Sequence, residues 1–163
     1  MNTESSEVTK KKKKKKQAMS RSENMSRIKG KNSTPEVYIR KLLWHKGFRY
    51  RKNYSNLPGK PDIYLKKYNT AIFVNGCFWH MHSGCKYSTM PSSHIEYWKN
   101  KLLNNVERDK KEYALLKNDG IKVLVIWECT IKKMKKDHVM ESEVLNKIIS
   151  FLADKTDNKF LEL

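Results

Sequence analysis

Cys77, His82, Cys85 and Cys129 are four ligand-type side chains, three of them within nine residues of one another. Thiolates and an imidazole suit a closed tetrahedral zinc site. The spacing is not one of the common zinc-finger spacings, and three reduced, buried thiols would account for the cysteines equally well. Nothing around any of them has the pattern of a thiol nucleophile. Asp62 follows Pro61 at the expected start of a strand, where a carboxylate either caps a Gly/Pro-rich turn or binds a hard divalent cation. Asp109 falls on an otherwise apolar stripe made by Ile95, Trp98, Leu102, Val106, Tyr113 and Leu116. A carboxylate turned inward needs a partner, which is either a basic residue in a buried ion pair or a functional group such as His80. His80 lies in Asn75-Gly76-Cys77-Phe78-Trp79-His80, just past an apolar strand, and a neutral imidazole there could activate water. His45, His94 and His138 read as structural or simply exposed histidines. Phe78 and Trp79, adjacent on one loop, cannot both enter a single core; with Trp98 they are either core residues or wedges for unstacking bases.

The elements that must hold these residues follow from the patterning. Thr34-Pro35-Glu36 reads as a helix start with Thr34 as N-cap, and Gly47 ends that helix. Phe48 to Arg51 alternates as a strand. Leu57-Pro58-Gly59-Lys60-Pro61 is a turn, Asp62 to Leu65 a short strand, and Ala71 to Val74 a buried one. Residues 76–92 form an irregular loop. Ser93 with Glu96 reads as a capping box for a long helix reaching Asn118, closed by Gly120. Ile121 to Trp127 has the character of a central strand. A last amphipathic helix presents Val144, Leu145, Ile148, Ile149 and Leu152. The order α-β-β-β-α-β-α predicts an α/β fold, a mixed β-sheet flanked by helices.

The chain of 163 residues suits one domain and carries a formal charge of +18. Residues 1–20 contain the Lys10–Lys16 run and read as a disordered Lys-rich tail, leaving 21–163 as a single domain. Seven Lys against two Glu give the tail five positive charges, so 13 stay with the folded part. A polyanion is the natural partner. No apolar run reaches the length of about 18 residues needed to span a bilayer, and no secretory core follows the lysines, so the expected location is cytoplasmic.

Six blocks together resemble one family: Arg21-Ser22-x-Asn24-Met25, Thr34-Pro35-Glu36, Leu57-Pro58-Gly59-Lys60-Pro61-Asp62, Gly76-Cys77-Phe78-Trp79-His80, Asn104-Asn105-Val106-Glu107-Arg108-Asp109 and Val125-Ile126-Trp127-Glu128-Cys129. In this order they resemble the very short patch repair (Vsr) DNA mismatch endonucleases, over residues 21 to about 130. The resemblance implies a restriction-endonuclease-like core with a structural zinc site. It implies Asp62 as the main Mg²⁺ ligand with the backbone carbonyl of Val74 as a second, and His80 as general base hydrogen-bonded to Asp109. Glu36 is implied to order metal-bound water, and Cys77, His82, Cys85 and Cys129 to bind Zn²⁺. Phe78, Trp79 and Trp98 are implied to intercalate beside the mismatch. Where the usual nuclease signature has an acid and a lysine, the chain has Phe73-Val74-Asn75, an absence the family shares, with Asn75 replacing a His of some members.

The implied activity is a Mg-dependent nick of double-stranded DNA 5′ to the T of a T:G mismatch arising from 5-methylcytosine deamination, which starts very short patch repair. A cytosine-5 DNA methyltransferase is then the functional companion, a MutL-type repair protein a possible partner, and a monomer the expected state. Two other classes are consistent with the residues alone: a non-catalytic zinc-stabilised DNA-binding module, and a restriction-type nuclease with another substrate.

Overall fold

A computed structural model describes residues 30–156 and 158–163. The Lys-rich tail, the domain start at residue 21 and the Arg21–Met25 block lie outside the described residues. Within them the order is α1 (Thr34–His45), β1 (Arg51–Lys52), β2 (Ile63–Leu65), a 3₁₀ turn (Lys66–Tyr68), β3 (Thr70–Asn75), α2 (Ile95–Asn118), β4 (Lys122–Trp127), α3 (Glu128–Met134), α4 (His138–Ala153) and β5 (Phe160–Glu162). The five strands form one sheet in the order β1-β2-β3-β4-β5. β1, β2 and β3 pair antiparallel, while β3–β4 and β4–β5 are parallel, with Ile72 opposite Leu124. The sheet is therefore mixed, as the element order predicted.

Strand alternation sends side chains to two cores. On one face Ile63, Leu65, Ile72, Leu124 and Ile126 pack against α1 (Ile39, Leu43), α3 (Ile131, Met134) and α4 (Val144, Ile148, Phe151, Leu152). On the other, Tyr64, Ala71, Phe73, Val123, Val125 and Trp127 meet Leu116 of α2. The loop after β3 therefore opens on the α2 side, and Cys77 belongs to that second core.

Several sequence expectations are corrected in detail. The cap of α1 is Ser33, not Thr34. Ser33 and Glu36 stand three apart and hold each other: the Glu36 N–H donates to Ser33 Oγ at 3.5 Å, and the Ser33 hydroxyl donates to Glu36 Oε1 at 2.8 Å. Thr34 has no acid at that spacing. The Ser93–Glu96 box does not form, because the chain enters α2 through His94 in a left-handed conformation, φ 52°, with no side-chain cap. Ile95 consequently leaves the apolar stripe and is 54% exposed. The first strand is Arg51–Lys52, not Phe48–Arg51, since Phe48 and Tyr50 turn onto the α1 core instead. Ile149 of α4 yields its expected core place to Phe151. α3 and β5 were not foreseen. The Glu128–Lys132 pair at 2.9 Å and the apolar Ile131 and Met134 are the local signals for α3.

Candidate active site

β2 begins one residue after Asp62, and that offset leaves Asp62 outside the ladder. Beyond the Ile63–Ile72 register pair the ladder ends. The Val74 N–H donates to the Asp62 carboxylate instead, at 2.8 Å to Oδ2. The Asp62 backbone carbonyl is held from behind by the Arg40 guanidinium and the Asn53 N–H, each at 3.1 Å. Burial raises the Asp62 carboxyl to about 6. The Val74 N–H, the Arg40 charge and His80 oppose that rise, while Glu36 adds to it. The expected ligand and Val74 are thus neighbours, and a partly buried carboxylate held this way is suited to gain a cation.

Glu36 and Arg40 lie one helical turn apart on α1, are both 6% exposed and pair at 3.1 Å. Glu36 also accepts from the Asn32 N–H at 2.8 Å. Arg40 further donates to Asn32 Oδ1 at 2.7 Å and Asn53 Oδ1 at 3.1 Å. Both oxygens of Glu36 are hydrogen-bonded, to the helix N-terminus and to Arg40, with acceptor capacity left over, and its charge acts on Asp62. The sequence reading missed Arg40, although the i,i+4 spacing from Glu36 was its signal.

His80 Nδ1 is hydrogen-bonded to Asp109 Oδ2. An ionised carboxylate only accepts, so Nδ1 carries the proton and Nε2 is left as the basic nitrogen. Asp109 is on the buried side of α2, as its stripe position predicted, and Arg108 also donates to it, at 3.3 Å. A backbone turn from Gly76 to His80 (His80 N to Gly76 O, 3.2 Å) and the Asn105 amide on the Trp79 carbonyl (3.1 Å) fix the loop that presents the imidazole. The charge of His80 also lowers the Asp62 carboxyl, so the two lie within electrostatic range of each other.

The ligand atoms of Cys77, His82, Cys85 and Cys129 all lie within 4.8 Å of one another. A tetrahedron with bonds of about 2.3 Å has edges near ~3.8 Å, so these atoms fit a Zn²⁺-sized cation. His82 faces Cys129 Sγ with Nδ1, at 3.4 Å. Its ring stacks on Trp127, with centroids 4.0 Å apart and planes 2° from parallel. Burial pushes the Cys77 thiol up to about 12, whereas the backbone N–H of Tyr87 draws Cys85 below its ordinary value. A bound cation would hold both as thiolates. Trp127, absent from the sequence reading of this site, is itself pinned by Glu162 of β5, to which its Nε1–H donates at 2.6 Å.

Phe78, Trp79 and Trp98 form a triangle with centroid separations of 5.2, 5.4 and 5.9 Å. Phe78 is only 9% exposed and Trp79 is half-buried, so of the two rings one turns in and the other packs edge-on against it. Tyr97 extends the group edge-on against Trp98 at 5.4 Å. Lys101 Nζ stands 5.5 to 5.6 Å from the Trp79, Tyr97 and Trp98 centroids. Among the described residues no helix is long and apolar enough to cross a membrane.

A carboxylate that a cation would relieve, beside an imidazole primed as a base, is equipment for cation-assisted hydrolysis, and the basic surface favours a polyanionic substrate. Known proteins narrow that class. The profile of the DNA mismatch endonuclease Vsr family matches residues 11–86. The type II nicking enzyme V.NmeAIP of Neisseria meningitidis serogroup A is 42% identical over 130 residues, covering 80% of this chain and 89% of the relative. V.XorIIP of Xanthomonas oryzae is 38% identical over 110 residues, 68% of this chain and 80% of its own. The DNA mismatch endonuclease Vsr of Escherichia coli is 36% identical over 116 residues, 71% of this chain and 74% of that protein. The chain belongs to the DNA mismatch endonuclease Vsr family. It is accordingly a DNA endonuclease.

Proposed function

We propose that the chain hydrolyses one phosphodiester of double-stranded DNA on the 5′ side of the T in a T:G mismatch, leaving a 3′-hydroxyl and a 5′-phosphate and starting very short patch repair. The observation that carries this reading is the His80–Asp109 pair within charge reach of Asp62, one residue along the chain from the aromatic triangle. We read the mixed sheet, with helices on both faces and its acid at the start of β2, as a restriction-endonuclease-like core.

Asp62 and the Val74 carbonyl would hold Mg²⁺, which when bound supplies charge against the phosphate. Glu36, whose charge already reaches Asp62, would order water around the cation. His80 Nε2 removes the proton of the attacking water, while Asp109 fixes the tautomer and stabilises the imidazolium that results. Cys77, His82, Cys85 and Cys129 would hold Zn²⁺. Cys77 and His82 bracket residues 78–80, so that closure fixes the wedge and the base together. Trp79 and Trp98 would enter the stack beside the mismatch, with Phe78 joining them only by turning out of its buried position; a mismatch unstacks more cheaply than a matched pair. Such mismatches arise by deamination of 5-methylcytosine. The reading therefore includes a cytosine-5 methyltransferase as companion, a MutL-type repair protein as partner, and a cytoplasmic monomer.

A nicking assay with Mg²⁺ on end-labelled T:G duplexes and matched T:A controls tests it. The expected result is a strand-specific cut 5′ to T that Asp62→Ala and His80→Ala abolish. Equal cutting of matched duplex, or binding with no cut, overturns it.

A further inference from the structure

Asn75 is buried, at 5% exposure, directly after the residue whose N–H holds the Asp62 carboxylate. Its Nδ2–H donates to the Tyr113 hydroxyl at 3.1 Å. Tyr113 lies one helical turn beyond Asp109 on α2, and its ring is seated against Phe73 at 4.9 Å and Phe160 at 6.2 Å. A phenol that accepts one hydrogen bond still has its own proton to give. The carboxylates whose charge bears on that phenol are Asp109, Asp62 and Glu112, of which the first two belong to the site just described.

We infer that Tyr113 is a further catalytic residue of this nuclease, its hydroxyl donating to a non-bridging oxygen of the scissile phosphate, and that Asn75 is the positioning residue that turns that O–H toward the substrate. The inference rests on the reading of Asp62, His80 and Asp109 as the active site. A fixed neutral donor adds no further charge to a site that must admit a phosphate, and it stabilises charge developing on oxygen without rearranging. Burial, aided by the three carboxylates and opposed by the Asn75 hydrogen bond, raises the phenol above its ordinary value, so it keeps its proton. In place of an acid and a lysine, β3 thus supplies a backbone N–H for Asp62 and an amide for Tyr113.

Tyr113→Phe keeps the ring against Phe73 and Phe160 and deletes only the donor. The expected outcome is a ten- to hundredfold fall, in order of magnitude, of the single-turnover nicking rate on T:G duplex, with the Kd for that duplex within about twofold. Substrates with a stereodefined phosphorothioate at the scissile position give a second readout. The sulfur that slows the wild-type enzyme by removing the Tyr113 contact should impose a smaller penalty on Tyr113→Phe. If the variant melts early, Asn75→Ala, which keeps the phenol and loses its orienting amide, should show a smaller rate defect with the same change of thio-sensitivity. A Tyr113→Phe rate within twofold of wild type, or unchanged thio penalties, overturns the inference while the active-site reading stands. A wild-type enzyme that fails to nick the T:G duplex at all overturns that reading itself.

Discussion

Burial holds the Asp62 carboxyl at about 6, above the value of about 3.9 for an aspartate in an unfolded chain. A raised carboxyl favours the folded protein below the unfolded value and loses that contribution as pH rises through about 6. At pH 8 without added divalent cation, the charge on Asp62 therefore costs on the order of 2–3 kcal/mol. Asp62→Asn, which can still accept from the Val74 N–H, should melt several degrees higher than wild type at pH 8, and the gap should close below about pH 4. Thermal melts across pH check this, and added Mg²⁺ should raise only the wild-type melting point. Asp109→Asn offers His80 an amide that can donate, so it permits the wrong tautomer. Its nicking rate should fall by about 10²- to 10⁴-fold, and the Asp109→Asn/His80→Ala double variant should be little worse than His80→Ala, since the pair acts as a unit. Of the three proposed site residues only Asp109 stands out in the residues alone, as a carboxylate on an apolar stripe; Asp62 and His80 become candidates through the resemblance of the blocks around them. Arg40 carried only the faint signal of its i,i+4 spacing from Glu36, and its bond to Asn53, like the Asn75–Tyr113 pair, joins residues 13 and 38 apart that only the fold brings together.

The strands and helices were legible where periodicity ran long, as in α2, β3 and β4. They were illegible where an element is three residues long and defined by its neighbour, as in β5. β5 nonetheless bears on the metal pocket, through Glu162 on Trp127 and through Leu163, which donates to the Val125 carbonyl and accepts from Trp127, each at 2.9 Å. Deleting residues 160–163 should lower the melting temperature and hasten release of zinc to a colorimetric chelator, while a chain with four alanines there, which keeps the Leu163 backbone bonds and loses the Glu162 carboxylate, should show a smaller defect. The turn before β2 has a similar leverage. Gly59 sits at φ +71°, and an added Cβ would stand 2.9 Å from Glu112 Oε2 and 3.0 Å from the Phe73 ring. Gly59→Ala should cost about 1–3 kcal/mol in denaturant unfolding, through strain and overpacking together. Because Asp62 hangs on the same turn, nicking should fall by more than stability alone explains.

For the molecule as a whole, charge outside residues 1–20 is enough for a strong electrostatic contribution to DNA affinity. A chain beginning at residue 21 should keep its nicking rate within about twofold, while log Kd against log salt becomes shallower by up to several units. Binding isotherms at three salt concentrations decide this. The general architecture and the four-ligand set Cys77, His82, Cys85 and Cys129 followed from the sequence, whereas the pairing of β4 with β5 is a fact of tertiary structure; the ligands come from both ends of a crossover. That last arrangement has a temporal side. Cys85 and Cys129 are separated by the whole of α2 and β4, so a metal held by both cannot close its coordination until β4 has docked beside β3. Most of the ordering entropy is then spent before the ion is fully gripped. Zinc should therefore act as a latch and not as a nucleus: it should leave the rate of refolding almost untouched and slow spontaneous unfolding, giving the nuclease a long lifetime once loaded.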